Sequence, residues 1–227
     1  MKYAKIALTI TMLCIFAINA NSTGINKPVY KSNERESKKI ALTFDDGPHP
    51  RNTPQILSIL DRYGVKATFF VIGINAKNYP EALSQVVDRG HEIGNHTYSH
   101  QVLKSKSKDE IIKEIIDTEK EISKKSEFST TLIRPPCGFY DEKLLQIAQE
   151  NEYKVVLWSI DTLDWAHTSA HNIVSSVTKN IKGGDIILFH DYISGENNTP
   201  EALNILIPRL LKQGYEFVTV SELLQNI

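Results

Sequence analysis

Cysteine is almost missing from this 227-residue chain: there are two, Cys14 inside an N-terminal apolar run and Cys137 alone in the remainder. If the first leaves with a leader, no internal disulfide can form, and a packed core has to hold the fold. An excess of charge of either sign is also missing, with 26 basic against 27 acidic side chains and a formal net charge of -1. That balance excludes a basic nucleic-acid surface. No internal repeat, low-complexity tract or second Pro/Gly-rich linker breaks the chain, so a single domain is expected. The uncharged run from Ile6 to Ile18 is short for a membrane span. Two enzyme signatures are missing as well. No Gly-rich dinucleotide fingerprint follows the first expected strand, and no HExxH stands anywhere, which removes the main support for a Rossmann cofactor binder and for a helix-borne metalloprotease site.

What is present begins with a leader. Lys2 and Lys5, the run Ile6 to Ile18 and the small residues Ala20 and Ser22 form a signal-peptide pattern over residues 1–22, with cleavage after Ala20 or Ser22 and an uncleaved anchor as the alternative. Membrane contact is expected only in that uncleaved case. Removing residues 1–20 takes away two lysines and no acids, so the 26 bases become 24 against 27 acids, a formal charge of -3. Residues 23–37 are polar and without periodicity and read as a tether; residues 38–227 are long enough to bury a sizeable core. Secretion or association with the cell envelope follows from the leader, and nothing in the chain implies a protein partner.

Strands and helices alternate along the domain. Lys39–Phe44 reads as a strand and Thr53-Pro54 as the cap and first position of a helix running to Gly64. Residues 67–72, 91–94, 132–134, 154–160, 185–190 and 216–220 read as further strands. Helices are expected over 80–89, after a Ser107–Glu110 capping box with Ile111, Ile112, Ile115, Ile116 and Ile122 as its stripe, and over 142–151, 170–181 and 200–213. This order calls for a parallel sheet with helices outside, and at this length for an irregular or incomplete (β/α) barrel of about seven βα units.

The domain is organised around KIALTFDDGP, Lys39 to Pro48, where an apolar strand ends abruptly in Asp45 and Asp46 before Gly47-Pro48. Neighbours on a strand point to opposite sides, so the two carboxylates are expected in different environments. Taken alone, the decapeptide reads equally as a solvated Asp-Gly turn. The other strand ends shift that balance: His96 and His100, Arg134, Asp161 and Asp164, and His190 all fall just past expected strands. In barrels of this plan the C-terminal rim is where active sites assemble. The spacing His96-Thr97-Tyr98-Ser99-His100 puts two imidazoles on one side of a helical turn, and two His with one carboxylate leave a metal position open for water. With no Glu after the first His, Asp45 is the candidate base.

Five motifs in order, TFDDGP (Thr43 to Pro48), HTYSH (His96 to His100), RPPCG (Arg134 to Gly138), DTLDW (Asp161 to Trp165) and LFH (Leu188 to His190), resemble the polysaccharide deacetylases, the carbohydrate esterase family 4 enzymes that share the NodB homology domain. The resemblance covers about residues 38–224. It implies Asp46, His96 and His100 as ligands of one divalent metal, zinc first, with cobalt or manganese able to substitute. It further implies Asp45 as general base held by Arg134, His190 as general acid paired with Asp161, and Trp165 and Leu188 as walls of the sugar and acetyl pocket. Cys137 stands where the family usually has tyrosine. The family residue acts on the oxyanion through its backbone N–H, which cysteine also supplies, although the thiol adds a possible competing ligand near the metal.

The activity implied is removal of N-acetyl groups from N-acetylglucosamine polymers, peptidoglycan or chitin-like, with acetylated polysaccharide as the sole partner. An O-deacetylase acting on acetylated xylan is the runner-up, because the motifs describe acetyl hydrolysis and not the sugar. A non-catalytic sugar binder and a purely structural secreted protein remain as readings from other classes, opposed by the complete ligand triad and by Asp45.

Overall fold

The computed structural model describes residues 29–33, 37–126 and 129–225. The expected leader, residues 1–22, and residues 23–28 and 34–36 of the expected tether lie outside them. Among the described residues no helix is long and apolar enough to cross a membrane.

Every strand pairing is parallel. The strands are β1 (Val29–Tyr30), β2 (Lys39–Asp45), β3 (Thr68–Val71), β4 (Glu92–Asn95), β5 (Leu132–Ile133), β6 (Lys154–Val156), β7 (Ile160–Asp161), β8 (Ile186–His190) and β9 (Glu216–Phe217). They pair in the order β1-β6-β5-β4-β3-β2-β8-β7, with β9 added to β2. The expected strand 154–160 is thus two strands. Its first part pairs with β5 and its second with β8, at opposite ends of that order. Three residues separate Val156 from Ile160, a reach of about 13 Å at most, so the two ends of the sheet must curl toward each other. The sheet is an incomplete barrel, as expected, and its seam is this kinked stretch. One correction falls on the tether: Val29–Tyr30 pairs with Val155–Val156, and Ser32 bridges to Asp185, so part of the segment belongs to the sheet.

Helices α1 (Asn52–Tyr63), α2 (Gly73–Asn78), α3 (Pro80–Asp88), α4 (Lys108–Ile122), α5 (Glu142–Glu150), α6 (Ala170–Asn180), α7 (Thr199–Lys212) and α8 (Val220–Leu223) follow the strands. The period of two in β2 decides what faces where. Ile40, Leu42 and Phe44 enter the layer under α1, α6 and α7, and Phe44 stacks on Phe69 at 4.9 Å. Ala41 instead joins Phe70, Leu132, Val156 and Ile186 in a second cluster, closed off by Val220, Leu223 and Leu224 at the start and end of α8. Thr43 and Asp45 share that inner face. Truncating Phe44 or Phe69 to alanine in so dense a layer costs on the order of 3–5 kcal/mol.

Local chemistry sets the helix ends with one exception to expectation. Ser107 caps α4, its hydroxyl accepting from the Glu110 amide while Glu110 accepts from the Ser107 amide. Ile111, Ile115 and Ile122 of the α4 stripe are buried, but Ile116 is exposed, so the stripe is narrower than its five isoleucines suggest. Thr53 does not cap α1. The helix begins at Asn52, two residues before the expected first position, the amides of Arg51 and Asn52 donate to His49 Nδ1, and the Thr53 hydroxyl donates to Asp191.

Candidate active site

The inward-facing positions of the barrel bring charge into its upper half. Arg134, directly after β5, is fully buried. Its Nη1 donates to Asp45 Oδ1 at 2.6 Å and to the Thr43 hydroxyl at 2.8 Å, its Nε to the Val156 carbonyl and its Nη2 to the Leu157 carbonyl at 3.0 Å. The ring of Phe70 lies 4.0 Å from the guanidinium carbon. A buried cation is tolerable because every side of the fork has an acceptor or a π face. The consequence is that one oxygen of Asp45 is pinned and the other faces the rim.

Asp46 does not continue the strand. Its φ is +74°, which ends the alternation, so Asp45 and Asp46 face one site and not opposite sides as the sequence suggests. His96 Nε2 lies 3.4 Å from Asp46 Oδ1 and 3.7 Å from Asp45 Oδ2, and His100 Nε2 lies 3.2 Å from Asp46 Oδ1. The two histidines sit on a loop, not a helical turn: Thr97 and His100 both have positive φ, and this folds the four-residue spacing back on itself. The loop is clamped from α4. Glu114 Oε2 accepts from the amides of Tyr98 and Ser99 at 2.9 and 2.8 Å and Oε1 from the Ser99 hydroxyl, while the Asn95 side chain bonds the Ile115 carbonyl and the Thr97 amide.

The donor set fits a cation. His96 Nδ1 sits 2.7 Å from the Arg134 carbonyl, which can only accept, so Nδ1 carries a hydrogen and Nε2 is the nitrogen turned toward Asp46 and His100. Asp46 Oδ1 is buried without a hydrogen-bond partner. One ligand atom from each of Asp46, His96 and His100 lies within 4.8 Å of the others, and one oxygen with two imidazole nitrogens is the set that suits zinc and its neighbours. Cys137 does not join this group. Burial pulls the His96 imidazole down, but Asp45 and Asp46 together outweigh it and the net shift is upward. Burial also lowers His100, and there the neighbouring His96 adds to the effect and together they outweigh Asp46 and Asp45, a shift in the direction of the neutral, ligating form. For Asp46, burial raises the carboxyl, yet His96, His100 and His190 outweigh it and leave it below the usual range.

Opposite lies His190, at the end of β8. Its Nδ1 is 2.7 Å from Asp164 Oδ1, and its amide donates to Asp164 Oδ2 at 2.8 Å. Thr199 and the Trp165 amide also donate to this almost fully buried carboxylate. Burial alone would lower the imidazole; the Asp164 contact wins and raises it to about 9. The pairing of His190 with Asp161 is therefore corrected. Asp161 Oδ1 accepts from the Leu163 amide, and Leu163, left-handed at φ +56°, turns the chain so that the second acid of DTLDW swings under His190. Asp161 remains on the cleft wall. The cleft, of about 390 Å³, is lined by Asp45, Asp46, His96, His100, Cys137, Trp158, Asp161, Trp165, Leu188 and His190.

The strand-end residues thus converge on one cleft, except that Arg134 acts from beneath it and Asp164 from behind. Glu114, Asn95 and Trp158 went unnoticed in the sequence. Glu114 had a signal: an acid between Ile111 and Ile115 and four residues before Thr118 falls on the apolar stripe of α4.

Acids, imidazoles and a buried arginine gathered around one cleft at the C-terminal rim of a curled parallel barrel define a hydrolase. The chain belongs to the polysaccharide deacetylase family, whose model matches residues 32–156. It is 44% identical over 190 residues to a peptidoglycan-N-acetylglucosamine deacetylase of Bacillus cereus, covering 83% of this chain and 89% of that one. Among solved structures, a peptidoglycan N-acetylglucosamine deacetylase in complex with 4-naphthalen-1-yl-N-oxidanyl-benzamide superposes with a TM-score of 0.86 at 38% identity, over 88% of this chain and 94% of the other. A family 4 acetyl xylan esterase from Clostridium thermocellum, in complex with a cobalt ion, superposes with a TM-score of 0.76 at 37% identity, over 82% and 90%.

Proposed function

We propose that this chain is an exported, metal-dependent deacetylase that hydrolyses the N-acetyl group of N-acetylglucosamine residues in peptidoglycan or chitin-like oligosaccharides and releases acetate. The observation that carries the reading is the presence, on one cleft, of two anchored reactive groups, Asp45 on Arg134 and His190 on Asp164, beside the cluster of Asp46, His96 and His100. That cluster would hold one divalent ion, zinc by its donor set, with cobalt or manganese able to replace it. When bound, the ion supplies Lewis-acid polarisation of the acetyl carbonyl and a water of lowered pKa.

The rest falls to the chain. Asp45, fixed by Arg134, takes the proton of the attacking water through the oxygen that Arg134 leaves free. The amide of Cys137, the first N–H after Pro135 and Pro136, donates to the acetyl oxygen as it gains negative charge. His190, kept protonated at neutral pH by Asp164, gives its proton to the sugar nitrogen as the carbon–nitrogen bond breaks. Trp165 and Leu188 wall the acetyl and sugar positions.

The likeness to an acetyl xylan esterase favours one second reading, O-deacetylation of a polysaccharide. Acetate release measured side by side from chitooligosaccharides, peptidoglycan and acetylxylan separates the two. The expected result is the largest kcat/KM on an N-acetylglucosamine polymer, abolished by chelation and restored by zinc. Preference for acetylxylan selects the second reading, and no release from any substrate by zinc-loaded protein refutes both. N-terminal sequencing of the protein recovered from culture medium or envelope tests export, with a start after Ala20 or Ser22 expected.

A further inference from the structure

Asp191 is a buried carboxylate to which the chemistry above gives no part. It follows His190 at the end of β8 and is 1% exposed. Its amide donates to the Asp45 carbonyl at 3.2 Å, its Oδ2 accepts from the Thr53 hydroxyl at 2.5 Å, and its Oδ1 is buried without a hydrogen-bond partner. The carboxylate lies directly against Gly47. A Cβ on that glycine would stand 2.1 to 2.4 Å from the Asp191 carboxylate atoms, a clash that no small shift relieves. Gly47 itself is not among the left-handed residues, so its backbone does not require glycine. The carboxylate does.

Gly47 is the neighbour of Asp46, and the segment they share is held on several sides. The Asp46 carbonyl accepts from Asn75 Nδ2 at 2.7 Å, the Gly47 carbonyl from the Ile72 amide at 2.9 Å, and Thr53, bonded to Asp191, accepts from the His49 amide at 2.7 Å. Asp191 is the part of this frame that blocks the segment from settling inward. From this packing we infer that Asp191 is a positioning residue for Asp46: it backs Gly47 and so keeps the left-handed Asp46 carboxylate turned toward His96 and His100. The inference rests on the reading of Asp46, His96 and His100 as metal ligands. It is of the kind in which a group behind a ligand sets the ligand's orientation and, through it, the affinity.

The test uses the exported chain stripped of metal by chelation. Zinc affinity is measured by competition with a chromophoric chelator, and the melting temperature of the metal-free protein is recorded alongside. Asp191→Ala should weaken zinc binding tenfold or more. Asp191→Asn keeps the volume against Gly47 and an acceptor for Thr53, and should stay within about threefold of the parent. Gly47→Ala, which crowds the carboxylate, should also lose affinity, and the Gly47→Ala/Asp191→Ala pair should lose less than the product of the two single losses, because the added methyl then has room. A merely structural role would lower the melting temperature of Asp191→Ala and leave its zinc affinity unchanged, which overturns the inference. If Asp191→Ala fails to fold, Gly47→Ala decides, and unchanged zinc affinity there overturns the inference equally. A parent protein that binds no zinc removes the ligand reading and this inference together, a result distinct from a parent that binds zinc no better than its Asp191→Ala variant.

Discussion

Asp164→Asn offers the sharpest test of the acid side of the site. The carboxylate is almost fully buried and touches His190 twice, at Nδ1 and at the amide, so the substitution removes the charge that opposes burial and leaves the shape intact. The imidazole stands at about 9 against an ordinary 6.5. That gap is worth about 3 kcal/mol of preference for the protonated form. Because the folded value is raised, this contribution to stability is complete below about pH 6.5 and is lost as pH rises through about 9. In the variant only the charges of Asp45 and Asp46 oppose burial, and His190 should fall back to about its ordinary value. At pH 8 the protonated fraction would then drop about thirtyfold, and kcat/KM with it, before any loss of orientation is added. The direct assay is NMR titration of His190 in the metal-free protein, parent against variant, with the alkaline limb of the pH–rate profile as its functional counterpart. Asp161→Asn is the control, since its carboxylate bonds the Leu163 amide and should leave the titration where it was. An Asp164→Asn protein whose His190 still titrates near 9, or an Asp161→Asn protein whose His190 moves, refutes the assignment.

Asp45→Asn should abolish acetate release with zinc still bound, whereas Asp46→Asn should weaken zinc binding as well; equal metal loss in both variants, by elemental analysis, contradicts the division of roles. Glu114→Ala should destabilise the metal-free protein by about 2 kcal/mol in denaturant unfolding, since one carboxylate satisfies two amides and a hydroxyl of the histidine loop, and should also weaken zinc binding through His100. Cys137→Tyr should keep turnover within a few-fold and Cys137→Pro should lose a hundredfold or more with metal content unchanged, because proline removes the amide and its fixed negative φ also breaks the left-handed turn at 137. Similar large losses in Cys137→Tyr, Cys137→Ala and Cys137→Ser would give the thiol a part of its own.

What the sequence made legible followed periodicity and punctuation. The strand before Asp45, the capping box at Ser107 and the turn at Gly64 are local signals, and each appears where expected. So is the convergence of Asp46, His96 and His100, because a parallel barrel places every strand end on one rim. Three of the failures share one cause, a backbone that leaves its regular path within two or three residues. The kink after Val156 sends β7 to the far side of the sheet, which no propensity in Leu157, Trp158 or Ser159 announces. The left-handed Leu163 exchanges Asp161 for Asp164 under His190, and the left-handed Asp46 cancels the alternation that would have parted it from Asp45. Thr53 looked like a cap because its long-range partner, Asp191, lies 138 positions away along the chain.

Those left-handed residues carry a further consequence. Among the described residues, seven that are not glycine have positive φ, and six of them, Asp46, Thr97, His100, Cys137, Leu163 and His167, lie in the rim segments that carry the site or run beside it. Each such residue stores on the order of 1–2 kcal/mol of backbone strain that glycine would release. The molecule's cheapest thermal gains are therefore concentrated where its chemistry is done. Selection for heat resistance alone, in a laboratory library or a warm habitat, would be drawn first to the exposed Cys137→Gly and Leu163→Gly, and each would loosen a loop whose stiffness aims a reacting group. Heat tolerance and turnover in this fold draw on one reservoir, and variants that escape the conflict should carry their stabilising changes in the helical shell, far from the rim.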